Sequence, residues 1–423
     1  MTTTDLSGAD PSHAHVRQPG PALSVGIEDI RDAARALDGV ATVTPVERSS
    51  ALAGVVGVPV YLKCENLQRS GSFKIRGAYV RMSRLSEAER ARGVVAASAG
   101  NHAQGVALAA RLLGIRSVVY MPTDAALPKV AATREYGAEV RLVGTTVDDV
   151  LTAAREESER SGAVLIHPFD HVDVVAGQAT VALEILEQVP DVRTVVVPVG
   201  GGGLGAGVVA AMAAVAPHVR VVGVQAARAG GYLQSLAAGE PTKTVTASTM
   251  ADGIAVSTPG HVPFQIIKDG GGHIRTVSEE DISRALLFVA ERAKLIVEPA
   301  GVAGVAALMA HPEEYDDGPV VAVLSGGNID PLVLLRVLRH GLASAGRYMQ
   351  LRVRLVDRPG ALADLLQDLA RSGGNIMHVD HVRTGVDLAI DEVEVTMQVE
   401  TKGPEHCAAL LDHLRGEGYR ISE

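Results

Sequence analysis

Eight short valine-rich runs, at residues 58–62, 94–97, 117–121, 140–143, 164–167, 195–199, 221–225 and 320–324, alternate with alanine-rich helical stretches such as 104–113 and 181–188. Near-continuous apolar strands of this kind are covered on both faces, and strands separated by helices pair in parallel through crossover connections. The pattern restricts this part of the chain to a doubly wound α/β architecture. Roughly 310 residues is more than one hydrophobic core usually serves, so two lobes with a cleft between them are expected.

Beyond Asn328 the pattern changes. A helical stretch through Arg339 gives way to an expected loop at 340–346, and residues 349–356 then alternate like a strand. Asp357-Arg358-Pro359-Gly360 makes a turn, Leu362, Leu365, Leu366 and Leu369 recur at helical spacing, and Gly373-Gly374 stops that helix. Strands at 376–382 and 393–399, a helix at 406–414 and a short strand at 419–422 complete a βαββαβ order, the ferredoxin-like pattern. The reading divides the chain into an unstructured tail at 1–22, an α/β part at 23–340, a linker at 341–348 and a second module at 349–423.

A net charge of -10 without a basic stripe argues against nucleic-acid partners and for small molecules. Cys64 and Cys407 are too few for a disulfide framework or a cysteine metal site, which fits a reducing cytoplasm. The start of the chain lacks the pattern of a signal peptide, and no apolar run reaches the 18 or so residues that would span a membrane. His13 and His15 read as solvated side chains on the tail, and no metal site is expected.

The chemistry concentrates at strand ends. Lys74 lies in Ser70-Gly71-Ser72-Phe73-Lys74-Ile75-Arg76-Gly77, and Gly200-Gly201-Gly202-Gly203 follows a strand and precedes a helix. A lysine amine forms a Schiff base with a carbonyl, whereas consecutive glycines let backbone N–H groups and a helix N-terminus surround a phosphate. Together they point to pyridoxal phosphate. Ser98-Ala99-Gly100-Asn101-His102, another strand-to-helix turn, offers N–H groups to a carboxylate, although any α/β protein has tight Gly/Asn turns. Gly200, Gly202 and Gly205 also satisfy the dinucleotide pattern G-x-G-x-x-G, which keeps an NAD-dependent dehydrogenase as a distant alternative. The ribose-binding carboxylate expected about 20 residues on falls near Gln225, which cannot supply that charge. The missing Gly-Lys-Ser/Thr excludes a P-loop nucleotidase.

Five segments in order resemble the fold-type II pyridoxal phosphate enzymes, and among them the threonine dehydratases: 72–78, 98–102, 198–204, Ala251-Asp252-Gly253 and Ser325-Gly326-Gly327-Asn328. The fold this implies is tryptophan synthase β-like. Asp357-Arg358-Pro359-Gly360 with Asn375-Ile376 resembles an ACT domain, an amino-acid-sensing module. The resemblance implies that Lys74 carries the Schiff base and takes the α-proton, and that Phe73 packs beside the cofactor ring. It implies that Asn101 bonds the ring hydroxyl, that Gly200 to Gly203 and Leu204 hold the phosphate, that Gly253 belongs to the cofactor site and that Ser325 faces the pyridine nitrogen. The substrate carboxylate would dock on Ser98, Ala99, Gly100, Asn101 and His102.

The implied reaction is dehydration and deamination of L-threonine to 2-oxobutanoate and ammonia, with side activity on L-serine. Serine dehydratase or serine racemase on the same scaffold is the alternative. Racemases carry a second serine where this chain has Ala99, which disfavours racemisation. Gln225 replaces a frequent carboxylate and puts a divalent-cation site there in doubt, and Gly177-Gln178-Ala179 replaces Gly-Gln-Gly. The second module implies an amino-acid effector, isoleucine or valine, at Asp357, Pro359, Gly360, Asn375 and Ile376, seated between the subunits of a homodimer or homotetramer.

Overall fold

In chain order the strands are β1 Val46–Arg48, β2 Val60–Lys63, β3 Val94–Ala97, β4 Ser117–Met121, β5 Glu139–Leu142, β6 Val164–Leu165, β7 Thr194–Pro198, β8 Arg220–Ala226, β9 His273–Val277, β10 Val320–Val323, β11 Tyr348–Val356, β12 Asn375–Val382, β13 Glu392–Glu400 and β14 Arg420–Ser422. They are read from a computed structural model that describes residues 24–383 and 388–422, so the tail expected at 1–22 lies outside the described residues.

The strands form three sheets, ordered β1-β2-β10-β7-β8-β9, β5-β4-β3-β6 and β12-β13-β11-β14. The first two are the cores of the two expected lobes. They are parallel throughout, except that β1 runs antiparallel to β2. β7 and β10 are buried along their whole length because helices cover both faces, and their valine-rich sequences match that environment. β9 reads His-Ile-Arg-Thr-Val and exposes His273 and Arg275, as an edge strand can. Its apolar content is too low for the sequence reading, which omitted it together with the three-residue β1.

Two close approaches fix the helix that begins at Lys74. Helix Lys74–Ser83 crosses helix Val172–Gln188 so tightly that a Cβ on Gly177 would lie 2.6 Å from Cα of Gly77. The same helix 172–188 meets helix Gly203–Val215, where a Cβ on Gly207 would lie 2.6 Å from the nitrogen of Ala179. Gly207 thus leaves room for the alanine of Gly177-Gln178-Ala179. Arg76 adds a buried polar anchor. Its Nε and Nη2 donate to Glu65 Oε2 and Oε1 at 2.9 and 2.8 Å, and its Nη1 donates to Glu184 Oε1 at 2.6 Å and to Thr180 Oγ1 at 3.0 Å.

The third sheet is antiparallel, and helices Ala361–Arg371 and Pro404–Gly416 cover one face, burying Leu365, Leu369, Leu410 and Leu414 against Leu351, Val353, Val395 and Met397. This is the βαββαβ order read from the sequence. The junction differs from expectation. Helix Pro331–Ser344 runs through most of the expected loop at 340–346, because Gly341 sits against the carbonyl of Ser283 and lets the helix pack closely, a Cβ there falling 3.1 Å from that oxygen. Only residues 345–347 separate the helix from β11. They are tied on both sides: Thr401 and Gly403 donate their N–H groups to the carbonyls of Arg347 and Gly346, each at 3.0 Å, and Arg347 pairs with Glu291 at 2.6 Å.

Candidate active site

Lys74 is the first residue of its helix, and its Nζ donates to the Pro168 carbonyl at 2.9 Å while lying 5.1 Å from the centroid of the Phe73 ring. Burial pulls the ammonium down to about 8 against the opposing charge of Glu298. A cavity of about 290 Å³ opens at this point, lined by Phe73, Lys74, the turn 98–102, Gly200 to Leu204, Gly253 and Ser325. The structure therefore gathers every residue assigned to the cofactor and to the substrate carboxylate into one place, between the two lobes.

The glycine run has no room for side chains. A Cβ on Gly201 would strike the Phe169 ring, and one on Gly202, whose φ of 102° is left-handed, would strike the Tyr232 hydroxyl. Tyr232 donates that hydroxyl to the Gly201 carbonyl at 3.2 Å, and Gly260 donates its N–H to the same oxygen at 3.0 Å. With its carbonyl side held, the loop leads into the 13-residue helix Gly203–Val215, whose first N–H groups lack partners within the helix. A phosphate fits these residues. Across the cavity Ser98 Oγ accepts from the Gly100 N–H at 3.1 Å, and helix Asn101–Leu113 begins there, so the turn can hold a carboxylate.

His102 is no base. Its Nε2 donates to the Ile166 carbonyl at 2.8 Å, and burial together with the charge of Lys74 drives its proton affinity down to about 3. Gln225 is buried and its Oε1 accepts from the Tyr232 N–H at 2.9 Å. Among the described residues no group of three His, Cys, Asp or Glu side chains is placed to hold a metal ion.

Several residues here escaped the sequence reading. Pro168 supplies the carbonyl partner of Lys74, and Phe169 walls the glycine run. Glu298 accepts from Asn101 Nδ2 at 2.6 Å, and Asn328 Nδ2 donates to Asn101 Oδ1 at 2.8 Å. Burial, aided by the charge of Asp252, pushes the Glu298 carboxyl up to about 7. A lone glutamate before Pro299 gives no local signal, whereas Asn328 stood inside a quoted motif and could have been found there.

The residues assigned to an effector are not adjacent within one chain. Asn375 pairs with Glu400 opposite Tyr348, at the start of β11, whereas Asp357 to Gly360 follow its end, where Asp357 meets Arg383 at 3.2 Å. Asn375 Nδ2 donates to Glu400 Oε2 at 3.0 Å.

Residues 37–326 match the family model described as pyridoxal-phosphate dependent enzyme, and residues 349–408 match that of the ACT domain. A Geobacter sulfurreducens protein named L-threonine ammonia-lyase is 46% identical over 366 residues, 86% of this chain and 91% of that one. A Thermotoga maritima protein of the same name is 44% identical over 397 residues, 94% of this chain and 99% of that one. Among solved structures, serine racemase from Dictyostelium discoideum superposes with a TM-score of 0.68 at 35% identity, covering 72% of this chain and 99% of that one. With a half-buried lysine facing a glycine cradle between two parallel-sheet lobes, and with these matches along the same residues, the chain belongs to the pyridoxal-phosphate dependent enzymes of fold type II and carries a C-terminal ACT domain.

Proposed function

We propose that this enzyme is an L-threonine ammonia-lyase, converting L-threonine to 2-oxobutanoate and ammonia, with side activity on L-serine, and that an amino acid at the ACT domain regulates it in the cytoplasm. The observation that carries the reading is the Thermotoga relative, similar over 94% of this chain and thus over both the lysine site and the ACT domain.

Gly200 to Leu204 would hold the cofactor phosphate, Asn101 and Ser325 would face its ring, and Lys74 would bear the covalent link. When bound, the cofactor supplies an electron sink for negative charge developing at the amino acid's α-carbon. The turn 98–102 orients the substrate through its carboxylate. Lys74, whose burial shifts its ammonium to about 8, would take the α-proton as a neutral amine. Phe169 and Pro168 wall that side of the cavity with apolar surface. Ser325, which lines the same cavity, would present a neutral hydroxyl rather than a carboxylate to the ring nitrogen, so the residue there would not hold a proton on that nitrogen.

Racemisation of serine is the second reading, favoured by the likeness to a serine racemase and opposed by Ala99, which has no hydroxyl for delivering a proton from the opposite face. Incubating the holoenzyme with L-threonine and with L-serine, and measuring 2-oxo acid, ammonia and D-serine, separates the two. We expect 2-oxobutanoate from threonine, no D-serine, and no turnover by Lys74→Ala. Threonine left unchanged while D-serine accumulates would replace the first reading by the second.

A further inference from the structure

Three polar side chains cross the cleft in a line, and each fixes the orientation of the next. Asn328 Nδ2 uses both of its hydrogens, one toward the Ser70 carbonyl at 2.6 Å and one toward Asn101 Oδ1 at 2.8 Å. Asn101 in turn donates from Nδ2 to Glu298 Oε1 at 2.6 Å. Turning the Asn101 amide over would set donor against donor at Asn328 and acceptor against acceptor at Glu298. One orientation survives, and in it the second Nδ2 hydrogen remains for the cavity that Asn101 lines.

Two glycines make room for this line. A Cβ on Gly326 would lie 2.5 Å from Glu298 Oε1 and 2.9 Å from Asn101 Nδ2. A Cβ on Gly71, whose φ is 71°, would run into the Asn328 carboxamide. Both glycines lie in or beside segments on which the family resemblance rests, and what occupies their missing side-chain volume is the relay.

We propose that Glu298 is a positioning residue: together with Asn328 it locks the Asn101 carboxamide so that an N–H, and not the carbonyl, meets the ring oxygen of the cofactor. The ring oxygen is then held as a hydrogen-bond acceptor, which favours its ionised form. The inference rests on the cofactor of the family and not on which amino acid the enzyme consumes.

The charged groups facing Glu298 are Lys74 on its helix, Lys129 on helix Leu127–Glu135 and Asp252, with Lys129 bridging to Asp252 at 3.2 Å. Burial and Asp252 raise the Glu298 carboxyl to about 7, while Lys129, the Asn101 hydrogen bond and Lys74 act the other way. As pH rises through that value the acceptor gains charge and its hold on Asn101 tightens.

The test reads the visible absorbance of the bound cofactor in substrate-free holoenzyme, titrated from about pH 5.5 to about pH 9 on either side of the shifted carboxyl. Glu298→Gln keeps an acceptor oxygen but cannot ionise, so at every pH it should absorb as the parent does below about pH 7 and lose the inflection near that value. Glu298→Ala and Asn328→Ala free the amide, and should shift the band at every pH and weaken cofactor binding by about tenfold. If Glu298→Ala folds poorly, Asn328→Ala decides the matter. An inflection that persists in Glu298→Gln, or a band unmoved in Asn328→Ala, overturns the proposal. Since no substrate is present, failure to deaminate threonine would leave this result untouched.

Discussion

Ser325, two residues beyond β10, lines the cavity beside Lys74, and substituting it probes the electron demand of the site. Ser325→Ala should slow turnover while cofactor still binds through Gly200 to Leu204. Ser325→Asp should protonate the ring nitrogen and build up a long-lived absorbance at longer wavelength during turnover. Stopped-flow spectra of both variants with L-threonine check this, and spectra and rates equal to the parent's would remove Ser325 from the ring. A second expectation concerns two neutral histidines, His102 buried and His167 half-buried. Burial lowers His102 to about 3 and His167 to about 4. The unfolded chain takes up protons as pH falls below about 6.5, whereas the folded chain does not. Their contribution to stability is therefore complete above about pH 6.5 and is lost progressively as pH falls toward 4. Glu298, raised to about 7, acts the opposite way over the same window, so the decline in melting temperature between about pH 7 and about pH 5 should be steeper in Glu298→Gln than in the parent, and a flat profile in that variant would count against it.

The helix that presents Lys74 owes its position to partners on other elements. Arg76 is buried and bound to Glu65 and Glu184, while burial of the Glu65 carboxyl is outweighed by the Arg76 charge and hydrogen bonds, which hold it below the usual carboxylate range. Removing Arg76 leaves Glu65 buried with the Thr44 hydroxyl but no cation as a hydrogen-bond partner, while Glu184 keeps Lys63, at a cost of about 3–5 kcal/mol. Arg76→Met should lower the denaturation midpoint accordingly and also misplace Lys74, whereas a loss under about 1 kcal/mol would show that water enters the site. At this scale the sequence was legible where the signal was local. The valine runs announced buried parallel strands, and Lys74 with Gly200 to Gly203 stood out as candidates that the structure brings to one cavity, because each of these signals sits in a few consecutive residues. β9 was hidden by its alternating polar residues, and the continuation of helix Pro331–Ser344 was hidden by Gly341, a helix breaker by propensity that serves here for close packing. Glu298 was hidden for another reason: its partner Asn101 is 197 residues away, and nothing in the intervening sequence reports the contact.

In the whole molecule the ACT domain is the separable part. Truncation before Met349 should leave threonine deamination intact and erase any response to isoleucine or valine, as titration of both amino acids against activity would reveal; a truncated enzyme that still responds would place the sensor elsewhere. The separation of Asn375 from the Asp357 to Gly360 turn adds a condition. A ligand that touches both needs two ACT domains, so the response should weaken on dilution to the point where subunits part.

The short junction has a mechanical meaning. Helix Pro331–Ser344 is a lever arm about 21 Å long at 1.5 Å per residue. Its outer end is clamped to the ACT sheet through residues 345–347, and its inner end starts three residues after Asn328, whose carboxamide grips Asn101 in the cleft. Between the ACT sheet and that grip only residues 345–347 and 329–330 lie outside regular structure. Inserting four glycine and serine residues after Ala345 should therefore work as a clutch: the enzyme would keep turning over threonine and the ACT domain would keep its ligand, measured by calorimetry, while the two events would cease to influence each other.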